Sequence, residues 1–278
     1  MTDHYAVIGN PIAHSKSPII HEAFRLQTHQ DLSYEAVLAP LDGFAPLVQT
    51  LVDKGYRGAN VTVPFKLEAY QLCNALTERA KSAGAVNTLI FAKDSIQGDN
   101  TDGVGLVNDI EQNLQVRFAD KHVLLLGAGG AAQGVLLPIL LAQPASLTIA
   151  NRTLEKAHFM VQRVAVAHAV CNITVTTFEH LNPPSLKQPF DIVINATSTG
   201  LTASRLPISD QVFAQHTLAY DMMYGRETPF MAQARATGAI VADGLGMLVE
   251  QAAEAFYVWR GVRPETATVI SHLRKSIN

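Results

Sequence analysis

Three observations predict an α/β fold. Short apolar runs that end in small or polar residues alternate with stretches of helical periodicity. One such run, Val123 to Leu126, stops at the cluster Gly127, Ala128, Gly129, Gly130, Ala131, Ala132 and is followed by an apolar, helix-like stretch. A second apolar run, Ser146 to Ala150, arrives where a βαβ unit places its next strand.

The first run suits a strand buried on both faces. Gly127, Gly129 and Gly130 permit a tight turn and a close approach of backbone to a ligand. Ala132 takes the third position of the Gly-x-Gly-x-x-Gly/Ala fingerprint, where a small residue lets helix pack on strand. Gly127 to Ala131 would then cradle a pyrophosphate at a helix N-terminus. The second strand ends in Asn151, Arg152 and Thr153, with Lys156 one turn on, and lacks the acid that would accept a ribose 2′-hydroxyl. Arginine there can hold a 2′-phosphate by charge-assisted hydrogen bonds, so the expected cofactor is NADP(H). The alternative is a surface strand end with Thr153 as a helix cap. The whole βαβ unit with its basic end favours the nucleotide.

The chain has 278 residues, room for one large or two ordinary domains, and a net charge of −3. No basic block points to nucleic acid. The N-terminus opens directly into a strand-like run, without the pattern of a signal peptide. Apolar runs such as Val135 to Leu141 are too short for a bilayer and contain Pro138. Two distant cysteines, Cys73 and Cys171, make neither a disulfide framework nor a zinc site, which fits a cytoplasmic setting. The ten histidines show no close pair at ligand spacing, and no metal is expected.

Tyr5 to Gly9 reads as the first strand. A turn-rich segment leads to a helix from about Ile19 to Gln27, with Ser17 as N-cap and Pro18 in the first helical position. If the segment is extended, Ser15 and Ser17 face one side and can hold a carboxylate. The simpler reading of the spacing is that Ser17 caps the helix and Ser15 faces solvent. Leu32 to Leu38 reads as a strand and Phe44 to Asp53 as an amphipathic helix. Asn60 and Thr62 share a face of the next strand, which Pro64 ends, and Lys66 opens a helix. Lys66 is either an ordinary helix lysine or a proton donor to an oxyanion. Gly84 to Ile90 is a loop into a strand carrying Asn87. Asp99, Asn100 and Asp102 can cap a helix that begins near Val104; Asp102 can instead pair with a cation or a substrate hydroxyl.

Further strands are His122 to Leu126, Ile173 to Thr177, the run after Phe190, Leu218 to Met223 and Ile240 to Ala242. Further helices are Glu155 to Ala169, Pro229 to Gly238, Leu245 to Trp259 and Pro264 to Ser276. Ligands of open α/β sheets sit beyond the carboxyl ends of strands, which places Ala196, Thr197 and Ser198 at the cofactor cleft.

Taken together, these segments resemble the shikimate dehydrogenase family over nearly the whole length. The resemblance rests on Ser15 to Pro18, Asn60 to Lys66, Gly84 to Thr88, Asp99 to Gly103, the glycine loop, Asn151 to Thr153, Asn195 to Ser198, Tyr220 to Tyr224 and Asp243 to Ala252. It implies two α/β domains: a substrate-binding domain of residues 1–103 completed by 246–278, and an inserted Rossmann-like NADP-binding domain of residues 104–245. It implies that Ser15 and Ser17 hold the substrate carboxylate, and that Asn60, Thr62, Asn87, Asp102 and Gln251 bond the ring hydroxyls with Tyr224 beside them. Lys66 and Asp102 become the catalytic pair. Met222, Gly244 and Met247 lie near the nicotinamide. The family usually carries another arginine where Lys156 stands. The implied reaction is the reversible NADPH-dependent reduction of 3-dehydroshikimate to shikimate in aromatic amino-acid biosynthesis, by a monomer or homodimer. The rivals are a broader quinate/shikimate dehydrogenase and a non-catalytic NADP-binding sensor.

Overall fold

The computed structural model describes residues 2–164, 171–186, 188–197 and 205–277. The chain forms two compact units, one running to Gly105 and taking in Leu248–Lys275, the other spanning Leu106–Met247. Both junctions fall two residues beyond the 103/104 and 245/246 divisions expected from the sequence.

The first unit holds β1 (Asp3–Gly9), α1 (Ser17–Thr28), β2 (Leu32–Leu38), α2 (Phe44–Asp53), β3 (Gly58–Val61), α3 (Lys66–Leu72), β4 (Ala75–Leu76), α4 (Glu78–Ala83), β5 (Thr88–Ala92), β6 (Ser95–Asp99) and the start of α5 (Asp102–Asn108). Its sheet runs β2-β1-β3-β5-β6-β4, with β3/β5 and β5/β6 antiparallel. Ala6, Ile8, Ala59 and Val61 are buried with Phe44 and Phe65, whose rings stack at 5.0 Å. β6 escapes the sequence reading because Ser95–Asp99 carries a single apolar residue and shows no alternation.

Most of α9 (Leu245–Arg260) and nearly all of α10 (Ala267–Ile277) belong to this unit. Trp259 stacks on Tyr5 at 4.6 Å and its indole N–H donates to the Leu89 carbonyl at 3.0 Å. A Cβ on Gly58 would lie 2.5 Å from both the Leu89 oxygen and the Trp259 nitrogen. Glycine is what lets α9 approach the sheet so closely.

Two helix starts differ from expectation. α1 begins at Ser17, with Lys16 at the cap position and no side-chain cap. Pro18 still fits, because a second helical position also lacks an intrahelical acceptor for its N–H. α5 begins at Asp102 rather than near Val104, and the Asn100 side chain accepts from the Asp102 N–H at 3.1 Å. Asp102 therefore does not cap.

The second unit holds β7 (His122–Leu126), α6 (Gly130–Leu141), β8 (Ser146–Ala150), α7 (Leu154–Gln162), β9 (Asn172–Thr176), β10 (Ile192–Asn195), β11 (Leu218–Asp221), α8 (Pro229–Ala236) and β12 (Ile240–Asp243). The helix expected from Glu155 to Ala169 is described only as far as Gln162; residues 165–170 lie outside the described set. The strands are all parallel in the order β12-β11-β10-β7-β8-β9. Read from β9, this is the doubly wound 3-2-1-4-5-6 order, which reverses between β7 and β10. Val123, Leu124, Leu125 and Leu126 are wholly buried, as a strand covered on both faces requires. α6 runs through Pro138 to Leu141, although the proline supplies no N–H to the helix ladder. Among the described residues no helix is long and apolar enough to cross a membrane.

Candidate active site

In the first unit the central strands β3 and β5, two helix starts and α9 bring five of the expected residues into one hydrogen-bonded cluster. Lys66 opens α3 and Asp102 opens α5. The Lys66 ammonium donates to Asp102 Oδ2 at 2.6 Å. Their side chains are 32% and 16% exposed, open enough to meet a ligand and shielded enough to hold their geometry. Asn87 Nδ2 donates to Asp102 Oδ1 at 2.8 Å and lies 3.4 Å from Gln251 Oε1 on α9. Gln251 Nε2 in turn donates to the Leu248 carbonyl. Asn60 Nδ2 donates to the Asn87 carbonyl at 3.2 Å, while its Oδ1 accepts from the Tyr34 hydroxyl at 2.7 Å. Its Nδ2 also donates to the Thr88 hydroxyl at 3.1 Å.

Thr62 sits one residue past β3, half-buried, and its hydroxyl makes no hydrogen bond among the described residues. Ser15 Oγ accepts the Ser17 N–H at 3.3 Å. Ser17 is buried, caps nothing, and has the Tyr34 phenol as a polar neighbour. The cap reading of the spacing thus fails for Ser17, whose hydroxyl lies against the Tyr34 phenol instead.

Beneath these groups His21 is 1% exposed and stacks flat on Tyr34 at 4.0 Å. Burial pulls its pKa from 6.5 down to about 3, with the Asn60 side chain opposing. Below pH 6.5 the unfolded chain takes up a proton that the folded chain refuses until about pH 3. Stability therefore falls with falling pH across that window, by roughly 1 kcal/mol per pH unit from this group. Denaturant unfolding at neutral pH and at pH 5 checks this. The His21→Phe protein should lose that part of the slope, and an unchanged slope would exclude His21 as its source.

Of the residues that brace the cluster the sequence reading singled out only Asp99, and that as a helix cap. Arg79 on α4 grips Asp99 with two N–H donors at 2.6 Å each and reaches Glu254 on α9 at 2.8 Å. Arg263 closes the network onto Glu254 and the buried Glu250. Asp99 and Glu250 flank the segments that carry Asp102 and Gln251.

In the second unit the expected nucleotide residues gather at the carboxyl ends of the strands. Gly127 has φ +107, in the left-handed region that favours glycine. Cβ atoms built on Gly129 and Gly130 would meet nothing within 4 Å, and both residues are exposed with Ala131. That open space lies at the start of α6, whose first N–H groups have no side-chain cap. Free donors and the positive end of the helix dipole fit a phosphate there. Ala128 and Ala132 are buried in the core beneath. Asn151 donates to the Thr153 carbonyl at 2.8 Å. Thr153 makes no side-chain cap on α7, and Arg152, Thr153 and Lys156 are exposed. These side chains leave a guanidinium and a hydroxyl open to solvent after β8, with an ammonium one turn on.

Two buried side chains order the remaining loops. Asn195 Oδ1 accepts from the Thr197 N–H and hydroxyl, and its amide donates to Asp221 Oδ2 at 3.0 Å. Asp221, wholly buried, also accepts from Thr228 and from the Met223 N–H. These bonds pin the loops after β10 and β11, which carry Ala196, Thr197, Met222 and Tyr224. An acid at the end of an apolar strand was the available signal for Asp221. Burial pushes the Tyr224 phenol up, so it stays a hydrogen-bond donor. A Cβ on Gly244 would lie 2.3 Å from the Met222 carbonyl, so these two expected nicotinamide neighbours are packed together. Met247 joins the core cluster that Met222 packs against. Ser198 lies outside the described residues. Among the described residues no group of three His, Cys, Asp or Glu could hold a metal ion.

Known proteins match this layout. Residues 7–89 match the shikimate dehydrogenase substrate binding domain, residues 109–211 shikimate / quinate 5-dehydrogenase, and residues 244–274 the shikimate 5'-dehydrogenase C-terminal domain. Shikimate dehydrogenase (NADP(+)) of Methylobacillus flagellatus is 61% identical over 273 residues, covering 98% of this chain and 99% of its own. That of Herminiimonas arsenicoxydans is 60% identical over 278 residues, covering 100% and 99%. A crystal structure of shikimate 5-dehydrogenase from Thermus thermophilus in complex with NADP(H) and shikimate is 28% identical with a TM-score of 0.84, covering 99% and 100% of the two chains. The chain belongs to the shikimate dehydrogenase family.

Proposed function

We propose that this chain catalyses the reversible reduction of 3-dehydroshikimate to shikimate with NADPH, in the pathway to the aromatic amino acids. The observation that carries the reading is the Lys66–Asp102 pair, 2.6 Å apart and partly open, inside a cluster of amides that match a polyol. Ser15 and Ser17 offer hydroxyls to the carboxylate. Thr62, Asn60, Asn87, Asp102 and Gln251 serve the ring hydroxyls, and Tyr224 offers its phenol hydrogen. Buried polar groups of this kind reject analogues that would leave them unpaired.

Bound NADPH supplies the hydride that adds to the ketone carbon. As that bond forms, the carbonyl π electrons move onto oxygen. Lys66 Nζ, one of its three hydrogens held by Asp102, donates another to that oxygen and neutralises the developing charge. Asp102 fixes where the ammonium points. In the oxidative direction neutral Lys66 takes the hydroxyl proton and passes it to solvent.

Gly127 to Ala131 holds the pyrophosphate, and Asn151, Arg152, Thr153 and Lys156 hold the 2′-phosphate. Arg152→Ala should lower kcat/KM for NADP about 10- to 100-fold, the worth of one charge-assisted contact, and leave the value for NAD nearly unchanged. An equal loss with both cofactors would show that Arg152 does not read the phosphate. Both cysteines are free thiols, which suits a reducing compartment, and we place the reaction in the cytoplasm.

Absorbance of NADPH formed from shikimate and NADP tests the reading, with quinate and NAD as controls. Turnover confined to shikimate with NADP supports it. Nucleotide binding without turnover of any pair would replace it with a sensor.

A further inference from the structure

A directed chain of hydrogen bonds runs from Tyr34 to the Lys66–Asp102 pair. Its direction is fixed at two points by backbone groups that can play only one role. The Asn87 carbonyl can only accept, so the Asn60 atom 3.2 Å from it is the amide nitrogen. Asn60 Oδ1 must then face the Tyr34 hydroxyl, which donates. The Thr101 N–H can only donate, so the Asn87 atom 2.9 Å from it is Oδ1, and Asn87 Nδ2 must face Asp102. Between these points stands Thr88, wholly buried at the start of β5. Its hydroxyl accepts from Asn60 Nδ2 at 3.1 Å and donates to Asn87 Oδ1 at 2.9 Å. The order is therefore Tyr34 to Asn60, Asn60 to Thr88, Thr88 to Asn87, Asn87 to Asp102, with Lys66 on the far carboxylate oxygen.

We propose that Thr88 is a positioning residue for the reaction, acting through the Asn87 amide on the carboxylate that aims Lys66. This rests on the reading of Lys66 as the proton donor. The Asn87 amide has two faces of similar shape, and only one aims its hydrogens at Asp102. Thr88 donates to the oxygen beside the Thr101 N–H, and the two together hold that face. With Oδ1 of Asp102 occupied by Asn87, Lys66 meets Oδ2 alone and keeps two hydrogens for the substrate oxygen. Bonds aligned in one direction polarise one another, so the chain also draws hydrogen-bond donation toward Asp102. A threonine in a buried strand otherwise reads as β propensity.

Steady-state kinetics of Thr88→Val and Thr88→Ser beside the wild type test this, at a temperature where thermal melts show each protein folded. Thr88→Val keeps the branched shape and loses the hydroxyl; kcat should fall about tenfold with KM for NADP unchanged. Thr88→Ser keeps the hydroxyl and should stay within about twofold of wild type. In an Asn87→Ala background Thr88→Val should cost little more, because the two act in series. Wild-type kcat in Thr88→Val, or an equal loss in Thr88→Ser, would overturn the proposal, as would full additivity with Asn87→Ala. If Thr88→Val does not fold, Tyr34→Phe takes the first hydrogen from the chain. A threefold or larger kcat loss there supports the proposal and wild-type kcat overturns it. Inactive wild-type protein would instead remove the dehydrogenase reading itself, so the two failures are distinct.

Discussion

Lys66→Met should lose roughly 100- to 10,000-fold in kcat while shikimate and NADP still bind, the range that removal of a positioned proton donor produces. Methionine keeps much of the lysine stem and removes the charge and all three hydrogens. The alkoxide formed by hydride addition would then face no cation and no donor at that position. The fold should suffer little. The pair is partly open, 32% and 16% exposed, and Asp102 keeps its Asn87 donor when the ammonium is removed. The loss therefore belongs in kcat, and thermal melting should move by a few degrees at most. Stopped-flow turnover with binding followed by titration separates the two quantities. A kcat within tenfold of wild type would move the proton donor elsewhere.

The second large effect falls on stability. Arg79→Met should destabilise the protein by about 3–5 kcal/mol, because it strands the carboxylate of Asp99, 2% exposed, without its cation. Burial alone would raise the Asp99 carboxyl; the Arg79 guanidinium outweighs it and holds the pKa below 3.8. Because the folded value is depressed, this contribution is present above the ordinary carboxylate range and fades as pH falls through it. Arg79→Lys should recover only part, since a single ammonium cannot serve Asp99 twice and Glu254 once in the arginine's planar geometry. Urea unfolding at neutral pH reads the effect. A loss below about 1 kcal/mol would mean that Asp99 finds other partners.

The parts of this protein that constrain the backbone were legible in its sequence. A glycine at a left-handed φ, two more with open space where a Cβ would stand, and an arginine at the next strand end mark the proposed nucleotide site by residue type alone. Lys66 and Asp102 were different. Their spacing suited a helix lysine and a helix cap, and only the family resemblance raised them above that reading. The structure shows why the cap reading of Asp102 fails: Asn100 takes the helix N–H and leaves the Asp102 carboxylate to Lys66 and Asn87. What stayed hidden depends on partners far along the chain. Arg79 meets Glu254 across 175 positions and Tyr220 meets Asp109 across 111, and no local pattern records such pairs. Thr88 was hidden for another reason: its place in a strand explains a threonine without any reference to its hydroxyl.

The most direct test is a crystal structure of the protein with shikimate alone, in which no turnover can occur. The expected result has the C3 hydroxyl bonded to Lys66 Nζ, with Asp102 beside it, and the carboxylate held by the Ser15 and Ser17 hydroxyls. Shikimate turned end for end, with its carboxylate on Lys66, would contradict the assignment of that lysine to the reacting oxygen.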